Sequence, residues 1–134
     1  MKGPKYFLLL AFLLAFSFNP ALSQTKYDKK LEKADDFYEL GNYPNARNEI
    51  EKIKKQTTKK IGGVNEFLPI ARIKEAKYDV ALGILSGVHQ SVAEGLEMSE
   101  VVNGADSEVH ALLLKESTEV MNLYGDFLQA SEYL

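Results

Sequence analysis

The sequence predicts an all-α chain built from antiparallel helix pairs, and three observations carry that expectation. Apolar residues recur at the three- and four-residue steps that line one face of an α-helix. Breaks rich in glycine and asparagine, which accept the left-handed geometry that ends helices, separate these stretches. No segment alternates apolar and polar residues long enough to make a strand, and two of the four prolines, Pro4 and Pro20, precede the periodic region.

The first helix follows from Tyr27, Leu31, Ala34 and Tyr38, which fall at i, i+4, i+7 and i+11 on one face. Leu40-Gly41-Asn42 ends it. Tyr43, Ala46, Ile50 and Ile53 repeat the pattern in a second helix, with Pro44 in its first turn, where the missing N–H costs nothing. So short a turn makes the two helices antiparallel neighbours. The lysine-rich stretch Lys52 to Lys60 closes the second helix. It reads first as solvated cations complementing the helix dipole, and second as a patch for an acidic partner.

Ile61-Gly62-Gly63 is the next break. A third helix, 65–84, carries Phe67, Ile70, Ile73, Tyr78, Ala81 and Leu82, with Leu85 just beyond, and its apolar positions wrap more than one face. That distribution suits a helix sandwiched between neighbours. A fourth helix, 88–101, buries Val88, Val92, Leu96 and the small Ser99, and Asn103-Gly104 ends it. The fifth runs from Ser107 to Tyr124 with Val109, Leu112, Leu113, Val120 and Leu123 expected on its buried side. Phe127 to Leu134 makes the first turns of a sixth.

These elements repeat. Gly41-Asn42-Tyr43-x-x-Ala46 recurs as Gly125-Asp126-Phe127-x-x-Ala130, and Gly83 lies midway between the two, with Leu85 and Val88 at the aromatic and alanine positions. Gly87-Val88-His89 offers a rival register for that middle turn. The loops keep the same step, since Gly62 precedes Gly104, and Phe67 precedes Val109, by as much as Gly41 precedes Gly83. Physically, the glycine permits a tight turn, the aromatic packs under it, and the small alanine lets the second helix approach the first closely.

The stretch Ala34 to Ala46 resembles the central part of a tetratricopeptide repeat. Gly104 to Glu132 is similar to the longer, 42-residue variety of kinesin-light-chain type. Lys30 and Thr118 depart from the pattern, standing where that family favours a bulky and a very small residue. The resemblance implies a short right-handed solenoid of stacked helix pairs over 24–134, with units at about 27–60, 65–102 and 106–134. It further implies that the first helices of successive repeats line a concave groove for a peptide or helix of a partner protein. Carried over by position, the groove residues are Asp35 and Tyr38, Lys77, and Glu119 and Asn122.

The chemistry-bearing residues give no catalytic constellation and no metal or cofactor site. His89 and His110 lie on different predicted helices, and neither has an inward partner at metal-ligand spacing. Each reads as a surface or interface histidine. No serine occupies a nucleophile elbow, and Gly83, Gly87 and Gly95 are spaced wrongly for a phosphate cradle. Tryptophan is absent, which argues against a sugar-stacking site. Residues 24–60 carry ten basic and seven acidic groups, whereas 61–134 carry four basic and twelve acidic, so a nucleic-acid partner is not expected.

Segment 1–23 sets the expected compartment. Lys2 and Lys5 precede an apolar run from Tyr6 to Phe18, Asn19-Pro20 interrupts it, and Ala21-Leu22-Ser23 supplies the small residues of a cleavage site before Gln24. A helix over that run reaches only about 20 Å, short of the roughly 30 Å a bilayer core requires. The expectation is a cleaved signal peptide over 1–23 and an exported product spanning 24–134, in the periplasm, the medium or at the cell surface. No stable membrane insertion is expected after cleavage. With no cysteine, neither a lipid anchor through cysteine nor a disulfide is available. Phe127, Leu128, Tyr133 and Leu134 would be left partly bare, so either the last two helices form a private cap or the chain is the N-terminal repeat region of a larger exported protein.

Overall fold

The computed structural model describes the backbone of residues 19–134 and side chains from Lys26 onward; the predicted apolar run lies outside the described residues. Six helices follow in order among the described residues: α1 (Asn19–Glu39), α2 (Tyr43–Lys60), α3 (Phe67–Leu82), α4 (Val88–Asn103), α5 (Glu108–Tyr124) and α6 (Phe127–Glu132). No strand occurs among them, so the described fold is all-helical. α1 runs through Ser23 and Gln24, so the predicted cleavage position is helical in the uncut chain.

Local chemistry repeats with the sequence. Gly41, Gly62, Gly83, Gly104 and Gly125 adopt positive φ and follow one another at equal steps. Three of them close α1, α3 and α5 in the same way. The N–H groups of Asn42, Ile84 and Asp126 donate to the carbonyls of Phe37, Asp79 and Met121 at 2.8, 2.8 and 2.9 Å. These are Schellman closures, which need a left-handed residue just before the donor. Gly83 therefore ends α3, whereas Gly87, at φ −112°, has no such role. The starts of α3 and α5 also correspond. Asn65 Oδ1 accepts from the N–H groups of Phe67 and Leu68, and Ser107 Oγ, at the equivalent place one repeat later, accepts from that of His110. Each cap residue also donates back to its loop glycine carbonyl, Gly62 at 2.9 Å and Gly104 at 2.8 Å.

Each helix packs on the next in sequence, and α3 also touches α1 and α5. α3 thus meets four of the other five helices and joins two apolar clusters. One cluster centres on Tyr27, Leu31, Ile50, Ile53, Phe67 and Tyr78, the other on Ile73, Val88, Val92, Leu113, Val120 and Met121, with Ile70 packed against both. A half-buried ion network joins α2 to α3. Arg47 binds Glu51, Glu75 (3.2 Å) and Asp79 (2.7 Å), and Lys54 reaches Glu51 and Glu75.

Four predicted core positions are not core. Leu85 lies beyond the end of α3 in the loop and is exposed, because Gly83 stops the helix just before it. Val109, Leu112 and Leu123 are exposed on α5 as well. The buried side of α5 is instead His110, Leu113, Ser117, Thr118, Val120 and Met121. Its polar members are satisfied locally: Ser117 and Thr118 hydroxyls donate to the carbonyls of Leu113 and Leu114, and His110 Nδ1 lies 2.9 Å from Ser99 Oγ. Satisfied polar groups are tolerated in a core, so the apolar stripe and the buried stripe of α5 need not coincide.

A candidate partner-binding groove

α1, α3 and α5 lie side by side, and their shared surface gathers residues distant in sequence. Tyr38, Lys77, Glu119 and Asn122, four of the five predicted groove positions, line one open concavity of about 460 Å³, together with Leu123. Leu123, expected in the core, is 56% exposed here and supplies the apolar element of the wall.

Tyr38 organises the site. Its ring stacks on buried Tyr78 with centroids 5.1 Å apart and tilts against Tyr43 at 5.3 Å. Lys77 Nζ sits 4.8 Å from the Tyr38 ring centroid, a distance for cation–π attraction. Burial raises the Tyr38 hydroxyl pKa, and Tyr43, Glu39 and Glu119 raise it further by adding negative potential. The Tyr38 hydroxyl stays a neutral donor and acceptor.

The fifth predicted residue, Asp35, does not line the concavity, and its carboxylate is already engaged. Tyr78 donates its hydroxyl to Asp35 Oδ1 at 2.7 Å, and Lys74 Nζ lies 2.9 Å from both carboxylate oxygens. Lys74 also reaches Glu116 at 3.5 Å. Burial, and next the hydrogen bond to Asp35, push the Tyr78 hydroxyl pKa well above its usual value, which keeps it a donor. Charge therefore alternates across the surface: acidic Asp35 on α1, basic Lys74 and Lys77 on α3, acidic Glu116 and Glu119 on α5. Lys74 and Glu116 are not among the predicted groove residues; their equivalent positions in successive repeats, like those of Lys77 and Glu119, are the signal that marks the pair.

The turn residues behave unequally. Ala46, Val88 and Ala130 are all buried at equivalent positions, and Tyr43 is half-buried against Tyr38. Phe127, the counterpart of Tyr43, is 71% exposed. The reason is its neighbour, since the counterpart of Tyr38 on α5 is Asn122, which offers no ring to pack on.

The histidines serve packing. His89 Nε2 lies 2.7 Å from Asp126 Oδ2 and its ring meets Tyr124 edge-on at 4.7 Å, while Asp126 Oδ1 caps α6 by accepting from Gln129 N–H. This ties the start of α4 to the α5–α6 turn. Among the described residues no cluster of three or more potential metal ligands forms, and no helix is long and apolar enough to cross a membrane. A second concavity, unanticipated from sequence, lies between Val64, Arg72, Glu94, Met98 and Val101, where Arg72 Nη1 donates to Glu94 at 2.8 Å. No protein family, curated protein or solved structure matches this chain.

Proposed function

We propose that this chain is an exported protein-interaction module, a short solenoid of tetratricopeptide type whose concave side takes a peptide or helix of a partner protein. One observation carries the reading: residues 38, 77, 119 and 122, chosen only by repeat position, line a single concavity on three adjacent helices. The order of helix contacts, each helix on its successor and α3 on both α1 and α5, supports stacked pairs, as do the evenly spaced left-handed glycines. The charged amino-terminal start and the apolar run behind it support export.

The ligand chemistry follows from the wall. An extended or helical segment would set an apolar side chain against Leu123 and Tyr38 and polar groups toward Lys77, Glu119 and Asn122, a helix-in-groove or extended-peptide mode. The test is site-specific photocrosslinking in the native host, with a benzophenone amino acid at position 122 or, outside the groove, at position 97. Crosslinked protein adducts are expected from position 122, and they should be lost when Leu123→Asp is added. Equal adduct yields from the two positions, or adducts indifferent to Leu123→Asp, would count against the reading.

A further inference from the structure

The lysines of the first helix pair form one face. On α1, Lys26, Lys29, Lys30 and Lys33 fall at i, i+3, i+4 and i+7, the spacing of a single stripe, while Asp28, Glu32, Asp35 and Glu39 follow a different stripe. On α2, Lys52, Lys55 and Lys59 share a stripe at i, i+3 and i+7. The structure joins the two. Glu49 receives Lys33 at 3.5 Å and Lys52 at 3.3 Å, and Lys30 hydrogen-bonds Gln56. Antiparallel pairing then sets Lys26 opposite Lys60. Burial lowers the Lys30 pKa, and the charges of Lys26, Lys60 and Lys52 lower it further, as crowded cations should.

Residues 26–33 and 52–60 together hold nine lysines against two acids, while residues 61–134 are strongly acidic. Lys26, Lys29, Lys55, Lys59 and Lys60 are exposed, with no carboxylate partner among the described residues. The sequence alone favoured reading Lys52 to Lys60 as dipole-complementing cations; α1 brings a second set beside them, which that reading does not require.

We propose that this lysine face docks the protein on an anionic lipid surface. The face holds lysine and no arginine, and both arginines of the described chain bind carboxylates elsewhere. Lysine is a solvated point charge suited to diffuse attraction, whereas recognition of one phosphate or carboxylate favours the bidentate arginine fork. Among the described residues no exposed aromatic interleaves the stripe, so it lacks the stacking surfaces of a single-strand nucleic-acid site. Before cleavage the apolar run Tyr6–Phe18, read above as part of a signal peptide, ends shortly before Lys26, so the uncut chain would bring this face close to a bilayer. The inference does not depend on the groove.

The test is cosedimentation of the full chain with vesicles of phosphatidylcholine alone and with added phosphatidylglycerol. Tighter binding to the anionic vesicles is expected, weakening as salt rises. Each lysine near such a surface should contribute about fivefold. The variant K26Q/K29Q/K55Q/K59Q should therefore lose on the order of a hundredfold or more of the anionic increment. Its binding to neutral vesicles and its circular dichroism should not change, and K115Q should bind like the parent chain. The proposal is overturned if the parent binds both vesicle types equally, or if the fourfold variant retains the increment. It is also overturned if heparin, duplex DNA or polyglutamate binds this face more tightly than anionic vesicles, which would make an acidic polymer the partner.

Discussion

Replacing Gly95 with alanine sets helix preference against tertiary packing. Gly95 is buried in the middle of α4, where alanine in an isolated helix would add up to about 1 kcal/mol. A Cβ at this position would lie 3.0 Å from Ile73 Cγ1, 3.2 Å from the Pro69 carbonyl oxygen and 3.4 Å from Arg72 Cβ. Comfortable carbon contacts begin at about 3.5 Å. Ile73 is fully buried and the Pro69 oxygen belongs to the backbone, so neither neighbour can swing aside. Relief requires α4 to move off α3, the helix that joins both apolar clusters. Overpacking of this kind costs about 1–3 kcal/mol. Set against the propensity gain, the net is destabilisation of about 1 kcal/mol, or about 3–5 °C in Tm for a domain of this size. Urea unfolding followed by far-UV circular dichroism measures it as a lower midpoint with unchanged slope. If Gly95→Ala instead raises stability by the propensity increment, α3 and α4 do not approach this closely and the packing argument fails.

Gly83→Ala should cost about 1 kcal/mol through its left-handed backbone alone, because nothing lies within 4 Å of a Cβ there. Gly87→Ala, at negative φ, escapes that backbone strain but exchanges a favoured N-cap residue of α4 for a poor one, so it should cost less than Gly83→Ala; thermal unfolding of the two variants tests whether Gly83 is the turn glycine of the middle repeat. Tyr78→Phe removes a buried hydroxyl donor from Asp35 and should cost about 1–2 kcal/mol in chemical denaturation, the residual Lys74 contact limiting the loss. Asp126 gives a pH signature. The Gln129 N–H and then His89 hold its carboxyl below the ordinary carboxylate range, so its contribution is present above the unfolded pKa and lost as pH falls through the folded one. Asp126→Asn should therefore flatten the acid limb of a Tm-against-pH curve, and an unchanged limb would refute the assignment.

Much of the helix layout was readable without the structure, because glycine's left-handed freedom and the helical period are local properties. α2 begins at Tyr43 as predicted, and α5 ends at Tyr124. The groove was partly readable for the same reason: once the repeat length is known, Lys77 and Glu119 follow from position. What remained hidden is relational. Leu123 and Leu112 look like core because they are apolar and in phase, yet facing the core is a matter of which helices abut α5. Those neighbours select the stripe of His110, Ser117 and Thr118, whose polar groups find acceptors close at hand.

The same division holds across the molecule. Helix content, the glycine-closed turns and the repeat spacing were determined by the sequence alone, since each depends on residues within one or two turns of chain. The register of the middle turn was settled by the backbone there, positive φ at Gly83 against negative φ at Gly87. The engagement of Asp35 by Tyr78 and Lys74 and the merging of two lysine stripes into one face were decided only by tertiary structure. Both join side chains on different helices. Contacts of that range are set by which helix packs beside which, and a local pattern contains no term for it.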